Sequence, residues 1–215
     1  MNPINTYIDH TILKPFATSE DVRRICAEAK EYQFASVCIN PCYVPLAKEL
    51  LAGCSTHVCT VIGFPLGQNT TAMKVAETED ALSNGAEEFD MVINVGALRE
   101  GRLDYVRDEI AAVRKACEGH ILKVIIETGL LTDEEKVTAT KLVCEAGADF
   151  VKTCTGFSGG GATVEDIRLM KANVTGGVKV KAAGGIKTPE AAKALIEAGA
   201  ERLGTSSGIQ LAKGL

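Results

Sequence analysis

Asp149-Phe150-Val151-Lys152-Thr153-Cys154-Thr155-Gly156 is the stretch on which the reading of the fold turns. β-Branched and aromatic residues stand on both sides of a lysine, Gly147 marks a turn before it, and Gly159-Gly160-Gly161 forms a flexible loop after it. This is the profile of a buried strand that ends at a loop. A lysine in such a strand is awkward, because a low-dielectric setting disfavours the ammonium form. A neutral lysine amine, in contrast, is a nucleophile toward carbonyl carbon. The same side chain could instead snorkel or pair with a carboxylate, and the stretch alone leaves both readings open.

Outward from it, strand-like and helix-like segments alternate along the whole chain. Apolar strands are expected at 7–11, 35–39, 58–62, 88–94, 122–127, around Lys152, at 178–182 and at 201–204. Helix starts are marked by Thr18-Ser19-Glu20-Asp21, Thr132-Asp133-Glu134-Glu135 and Thr163-Val164-Glu165-Asp166, and by Thr188-Pro189 with proline in the first turn. Three helix-to-strand joints share one pattern, Gly85-Ala86-Glu87, Gly147-Ala148-Asp149 and Gly199-Ala200-Glu201, so one βα unit is used repeatedly. Near-continuous apolar strands alternating with helices indicate a parallel sheet covered by helices. The count and the length of 215 residues fit a single-domain α/β protein, a (β/α)8 TIM barrel spanning 1–215. A doubly wound open sheet is the alternative.

The totals narrow the function. A net charge of −5 argues against a nucleic-acid or membrane-surface partner, both of which favour a basic patch. The chain start lacks the pattern of a signal peptide, and no apolar run approaches the ~18 residues of a membrane span, so a soluble cytoplasmic protein is expected. The eight cysteines include no Cys-x-x-Cys pair, and His10, His57 and His120 are scattered without ligand spacing. A reduced interior with no metal and no cofactor is the expectation.

In a barrel the working groups gather at the C-terminal ends of the strands. Polar residues on the expected strands are Asp9, Cys38, Glu88, Asp90, Asn94, Lys123, Glu127, Lys152, Lys179 and Lys181. Lys179 and Lys181 share a face, with Lys181 about 6.6 Å nearer the C-terminal end. Glu88, Lys123 and Lys179 read as deeper, structural ion pairs. Gly184-Gly185 and Gly204-Thr205-Ser206-Ser207-Gly208 follow the last two strands, where these barrels hold phosphate. Two ordinary glycine turns would look the same.

Asp9-His10-Thr11, Val37-Cys38-Ile39, Phe89-Asp90-Met91-Val92, Val124-Ile125-Ile126-Glu127-Thr128, Val151-Lys152-Thr153-Cys154-Thr155-Gly156-Phe157 and Lys181-Ala182-Ala183-Gly184-Gly185-Ile186 occur in this order. This ordered set closely resembles the deoxyribose-phosphate aldolase family in its short bacterial form, over essentially the whole chain. The resemblance implies a barrel that forms a Schiff base with 2-deoxy-D-ribose 5-phosphate. It implies Lys152 as the Schiff-base lysine, with Asp90 and Lys181 as proton donors and acceptors. It also implies phosphate contacts from Gly156, Gly184, Gly185, Gly204, Ser206 and Ser207. Asp9, Cys38 and Thr155 complete the expected substrate set, Asp9 by orienting Lys181 or a substrate hydroxyl. The expected partners are a small phosphorylated sugar and further copies of the chain, as a dimer or tetramer.

Two departures stand out. Cys154 occupies a position where serine is common, a near-isosteric change. Some family members carry a C-terminal tyrosine that assists proton transfer, whereas the last tyrosine here is Tyr105. The rival readings are another Schiff-base barrel lyase, which would share Lys152 but differ in its pocket, and a non-catalytic phosphosugar-binding barrel.

Overall fold

The computed structural model describes residues 3–214, so Met1, Asn2 and Leu215, the ends of the expected domain, lie outside the described residues. Eight strands are all parallel and close into a barrel in chain order: β1 (Ile8–Ile12), β2 (Ser36–Ile39), β3 (His57–Ile62), β4 (Glu88–Val92), β5 (Ile121–Ile125), β6 (Phe150–Lys152), β7 (Lys179–Ala183) and β8 (Arg202–Thr205). Closure comes from β1 pairing with β8, where Asp9 sits opposite Gly204. The open-sheet alternative is thereby excluded.

The helices are α1 (Ser19–Tyr32), α2 (Val44–Leu50), α3 (Thr71–Ser83), α4 (Val95–Arg99), α5 (Leu103–Ala116), α6 (Asp133–Glu145), α7 (Val164–Asn173), α8 (Pro189–Glu197) and α9 (Gly208–Gly214). Among the described residues no helix is long and apolar enough to cross a membrane. Thr18 and Thr132 form full capping boxes with Asp21 and Glu135, and Thr163 and Thr188 accept from the Asp166 and Ala191 amides. Each such cap stabilises its helix start by about 1 kcal/mol over alanine. Gly85, Gly147 and Gly199 all have positive φ, the conformation that turns a helix end into the next strand.

The core lies between barrel and helices, around Ile8, Phe34, Phe89, Ile110, Leu122 and Met170. The barrel interior is different. Alternation along the strands turns Val151 and Leu122 outward and leaves Lys152 and Lys123 inside. Beside β2 and β3 the lumen is apolar, with Leu13, Cys38, Cys59 and Val61 clustered and Phe64 packed against them. On its remaining sides it is filled with charge.

Three details differ from the expectation. β4 stops at Val92, and Asn94 instead caps α4, accepting from the Ala97 amide at 2.9 Å. β5 stops at Ile125, and Glu127 beyond it has φ 58°. Lys179 lies on the exposed lower rim of β7, over the Phe150 ring, so it is not an inner ion-pair partner.

Candidate active site

Three lysines converge on one aspartate. Lys152 Nζ lies 2.7 Å from Asp90 Oδ2, Lys181 Nζ lies 2.6 Å from the same oxygen, and Lys123 Nζ lies 2.8 Å from Oδ1. β-Sheet register explains the convergence, since Lys152 is the cross-strand partner of Lys181 and Asp90 that of Lys123. The expected proximity of Lys152 and Lys181 is observed, but a carboxylate oxygen stands between the two amines and offsets their repulsion.

The network continues below. Lys181 also touches Asp9, and Asp9 accepts from Arg202 Nε at 2.6 Å and from Ser36 Oγ at 2.7 Å. Arg202 also reaches Glu88 at 2.6 Å, and Glu88 returns to Lys123 at 2.6 Å and to His57 Nδ1 at 2.9 Å. Arg202 escaped the sequence reading because Glu201-Arg202 looks like a surface joint. Its only signal is the inward parity it shares with Gly204.

The electrostatics follow from this arrangement. Burial by itself would raise the Asp90 carboxyl, but Lys123, Lys152 and Lys181 together hold it well below the usual range. Burial likewise opposes ionisation of Asp9, which Arg202, Lys181 and Lys123 hold low. Burial would raise Glu88 too, yet Lys123, the His57 hydrogen bond and Arg202 bring it from 4.5 down to about 2. Among the cations, burial would lower Lys123, Lys181 and Arg202, and the carboxylates around each hold all three above their ordinary values. Asp9, Glu88 and Asp90 thus balance Lys123, Lys181 and Arg202, charge for charge. Lys152 is the cation left over, and it is the one that reaches the cavity.

That cavity, about 520 Å³, opens at the C-terminal ends of the strands. Of the residues assigned from sequence, Lys152, Thr155 and Gly156 line one side, and Gly184, Gly185, Gly204 and Ser206 line the other. Gly184 and Gly185 have φ of 90° and 75°; a Cβ on Gly184 would lie 2.8 Å from Cys154 Sγ, whereas one on Gly185 would meet nothing within 4 Å. Close approach therefore requires glycine at 184, and the Gly185 backbone faces open space. Gly204 leaves room for the Lys181 stem, which would lie 3.3 Å from a Cβ there.

Asp9, Asp90 and Lys181 are fully buried behind Lys152 rather than on the cavity wall. Cys38 is buried as well, in the apolar part of the lumen. The Ser207 amide donates to Thr205 Oγ1 at 2.9 Å, so it is turned into its own loop. Cys154 donates to the Ala183 carbonyl at 2.7 Å, a hydrogen bond a serine would also make, which accounts for tolerance of the exchange.

Cys38, Cys59 and Asp90 offer ligand atoms within 4.8 Å of one another. Both Asp90 oxygens are already engaged by ammonium groups, and Lys123 also lies 3.3 Å from Cys59 Sγ. A dication there would face three lysines, so this donor set does not fit a metal.

A closed parallel barrel with a lysine amine at the foot of a glycine-floored cavity, backed by a buried carboxylate, defines the lysine aldolases of the (β/α)8 class. The chain belongs to the DeoC/LacD family of aldolases, whose family model matches residues 4–212. It is 59% identical over 211 residues to the deoxyribose-phosphate aldolase of Brevibacillus brevis, covering 98% of this chain and 96% of that protein. The deoxyribose-phosphate aldolase of Staphylococcus carnosus is 59% identical, with 97% and 95% covered. Among solved structures, a tetrameric deoxyribose phosphate aldolase from Aeropyrum pernix superposes with a TM-score of 0.92 at 33% identity, over 98% of this chain and 89% of that one.

Proposed function

We propose that the protein catalyses reversible aldol cleavage of 2-deoxy-D-ribose 5-phosphate to D-glyceraldehyde 3-phosphate and acetaldehyde, through a Schiff base on Lys152. The observation that carries the site assignment is the charge balance behind Lys152. Removing a proton from Lys123 or Lys181 would leave a carboxylate uncompensated in a dry interior. Removing one from Lys152 brings the interior to neutrality and yields the nucleophile.

Lys152 Nζ adds to C1 of the open-chain aldehyde, giving a carbinolamine that loses water to form an iminium. The C3 hydroxyl then loses its proton, the C2–C3 bond breaks, and its electron pair passes through C1 to the iminium nitrogen. Glyceraldehyde 3-phosphate leaves, and the remaining enamine takes a proton at C2. Water hydrolyses the resulting imine, releasing acetaldehyde and free Lys152.

Asp90 is one hydrogen bond from Lys152 and one from Lys181, so it can take up the proton that leaves the reacting nitrogen and return it, while the Lys181 ammonium holds the carboxylate in place. The phosphate would meet backbone N–H groups around Gly156, Gly184-Gly185 and Ser206. Relatedness to the tetrameric Aeropyrum pernix enzyme supports a homo-oligomer, either dimer or tetramer, and eight free cysteines fit a cytoplasmic setting. Turnover of 2-deoxy-D-ribose 5-phosphate, with acetaldehyde and glyceraldehyde 3-phosphate appearing in equal amounts, tests the reaction. Cleavage of a keto-acid phosphate or ketose phosphate in its place would move the protein to another lysine aldolase.

A further inference from the structure

Beyond the charge network lies a buried carboxylate that the reaction above does not use. Glu127 is 2% exposed and, among the described residues, has no cation within ion-pair distance. Its backbone is left-handed, at φ 58° and ψ 63°. The other described non-glycine residue with positive φ, Gln33, ends α1, where that conformation is ordinary. Glu127 ends no helix. A side chain held in this region marks a position over-determined by its surroundings, commonly at a functional site.

The surroundings are the loop that follows Lys152. The Ile126 and Thr128 amides donate to the carbonyls of Lys152 and Thr153, each at 3.0 Å, so residue 127 is pinned between two bonds to the end of β6. Its carboxylate accepts from the Thr155 amide at 3.2 and 3.3 Å, from Thr155 Oγ1 at 2.6 Å and from Ser158 Oγ at 3.3 Å. Thr155 Oγ1 in turn accepts from the Phe157 amide at 3.0 Å. One carboxylate thereby organises the backbone from 155 to 158. Thr155, Gly156 and Phe157 are the part of this loop that faces the Lys152 cavity.

We propose that Glu127 is a positioning residue that holds the Thr155–Phe157 segment in the conformation that receives the phosphate-bearing end of the substrate. This rests on the aldolase reading above. All the donors to Glu127 are neutral, and a buried charge satisfied by several of them fixes its partners in one arrangement. Gly156 and Gly159, both at positive φ, would otherwise leave the segment free to move. The residue acts through Thr155 and touches no reacting atom.

The test separates backbone strain from the carboxylate. Glu127→Gly relieves the left-handed conformation and deletes the acceptor, while Glu127→Gln keeps the volume and one acceptor oxygen. For Glu127→Gly we expect about a tenfold or greater rise in KM for 2-deoxy-D-ribose 5-phosphate and KM for unphosphorylated deoxyribose within about twofold of the parent. Glu127→Gln should recover most of the lost affinity. Equal losses on both substrates, or an unchanged KM for the phosphorylated sugar, would overturn the proposal. Borohydride trapping of acetaldehyde on Lys152 is measured in the same variants and in the parent. Retention of trapping in Glu127→Gly is expected, and its loss there alone would overturn the positioning role. Loss in the parent would refute the aldolase reading itself.

Discussion

Lys152 and Lys181 are register partners on adjacent strands, and their amines meet at a single oxygen, Asp90 Oδ2, at 2.7 and 2.6 Å. The two amines are therefore each one hydrogen bond from the carboxylate that links them. Asp90 sits at the centre of the lysine cluster, with Lys123 holding its other oxygen at 2.8 Å.

Replacing Lys181 with Leu should lower kcat/KM by about 10²- to 10⁴-fold, the usual worth of a positioned acid or base. Lys181→Arg keeps the charge beside Asp9 and Asp90, but a larger planar guanidinium cannot occupy the place of the compact ammonium between the two carboxylates, so it should be about as slow. Steady-state kinetics on both variants decide this. A near-normal rate in either would reduce Lys181 to a structural ion.

Gly185→Ala should act at the phosphate. A methyl group there meets no protein atom within 4 Å and points into open space beside the glycine floor. We expect KM for the phosphorylated sugar to rise about tenfold, with the unphosphorylated sugar little affected. Equal losses on the two would mean that the phosphate is held elsewhere. Tm is recorded alongside, since alanine at φ 75° is strained.

Acid should unfold the protein through the network. Glu88 falls from 4.5 to about 2 on folding, so the stability it contributes is fully present above pH 4.5 and is lost as pH drops toward about 2. Urea midpoints measured from pH 5 to 2 should fall steeply in the parent. Glu88→Gln should be less stable at pH 6, because Lys123 and Arg202 lose a partner, and its decline below pH 4.5 should be shallower. Identical slopes would show that Glu88 does not carry this titration.

Much of this was legible in the chain. The barrel follows from the repeated Gly-Ala-acid joints and the threonine caps, because these signals are local and each recurs where the structure uses it. Lys152, Asp90 and Lys181 were legible because inward charge on an apolar strand violates the local pattern. Arg202 was not, since its partner Asp9 is 193 residues away and only ring closure joins them. Glu127 was misplaced into the strand because its apolar neighbours continue the β pattern, and the left-handed turn depends on bonds to β6. Five residues of α4 are too few to show a helical period.

Chelation should leave the rate unchanged, because the carbonyl is activated by an amine rather than polarised by a cation. Exhaustive treatment with a strong chelator, followed by the standard turnover assay, checks it. Activity lost on chelation and restored by zinc would refute the lysine mechanism.

The most direct measurement of the central claim is reductive trapping. The protein is incubated with acetaldehyde and sodium borohydride, digested, and mapped by mass. The mechanism predicts a single two-carbon adduct on the peptide that contains Lys152, absent in Lys152→Ala together with turnover. An adduct confined to Lys181 or Lys123, or full turnover in Lys152→Ala, would contradict it.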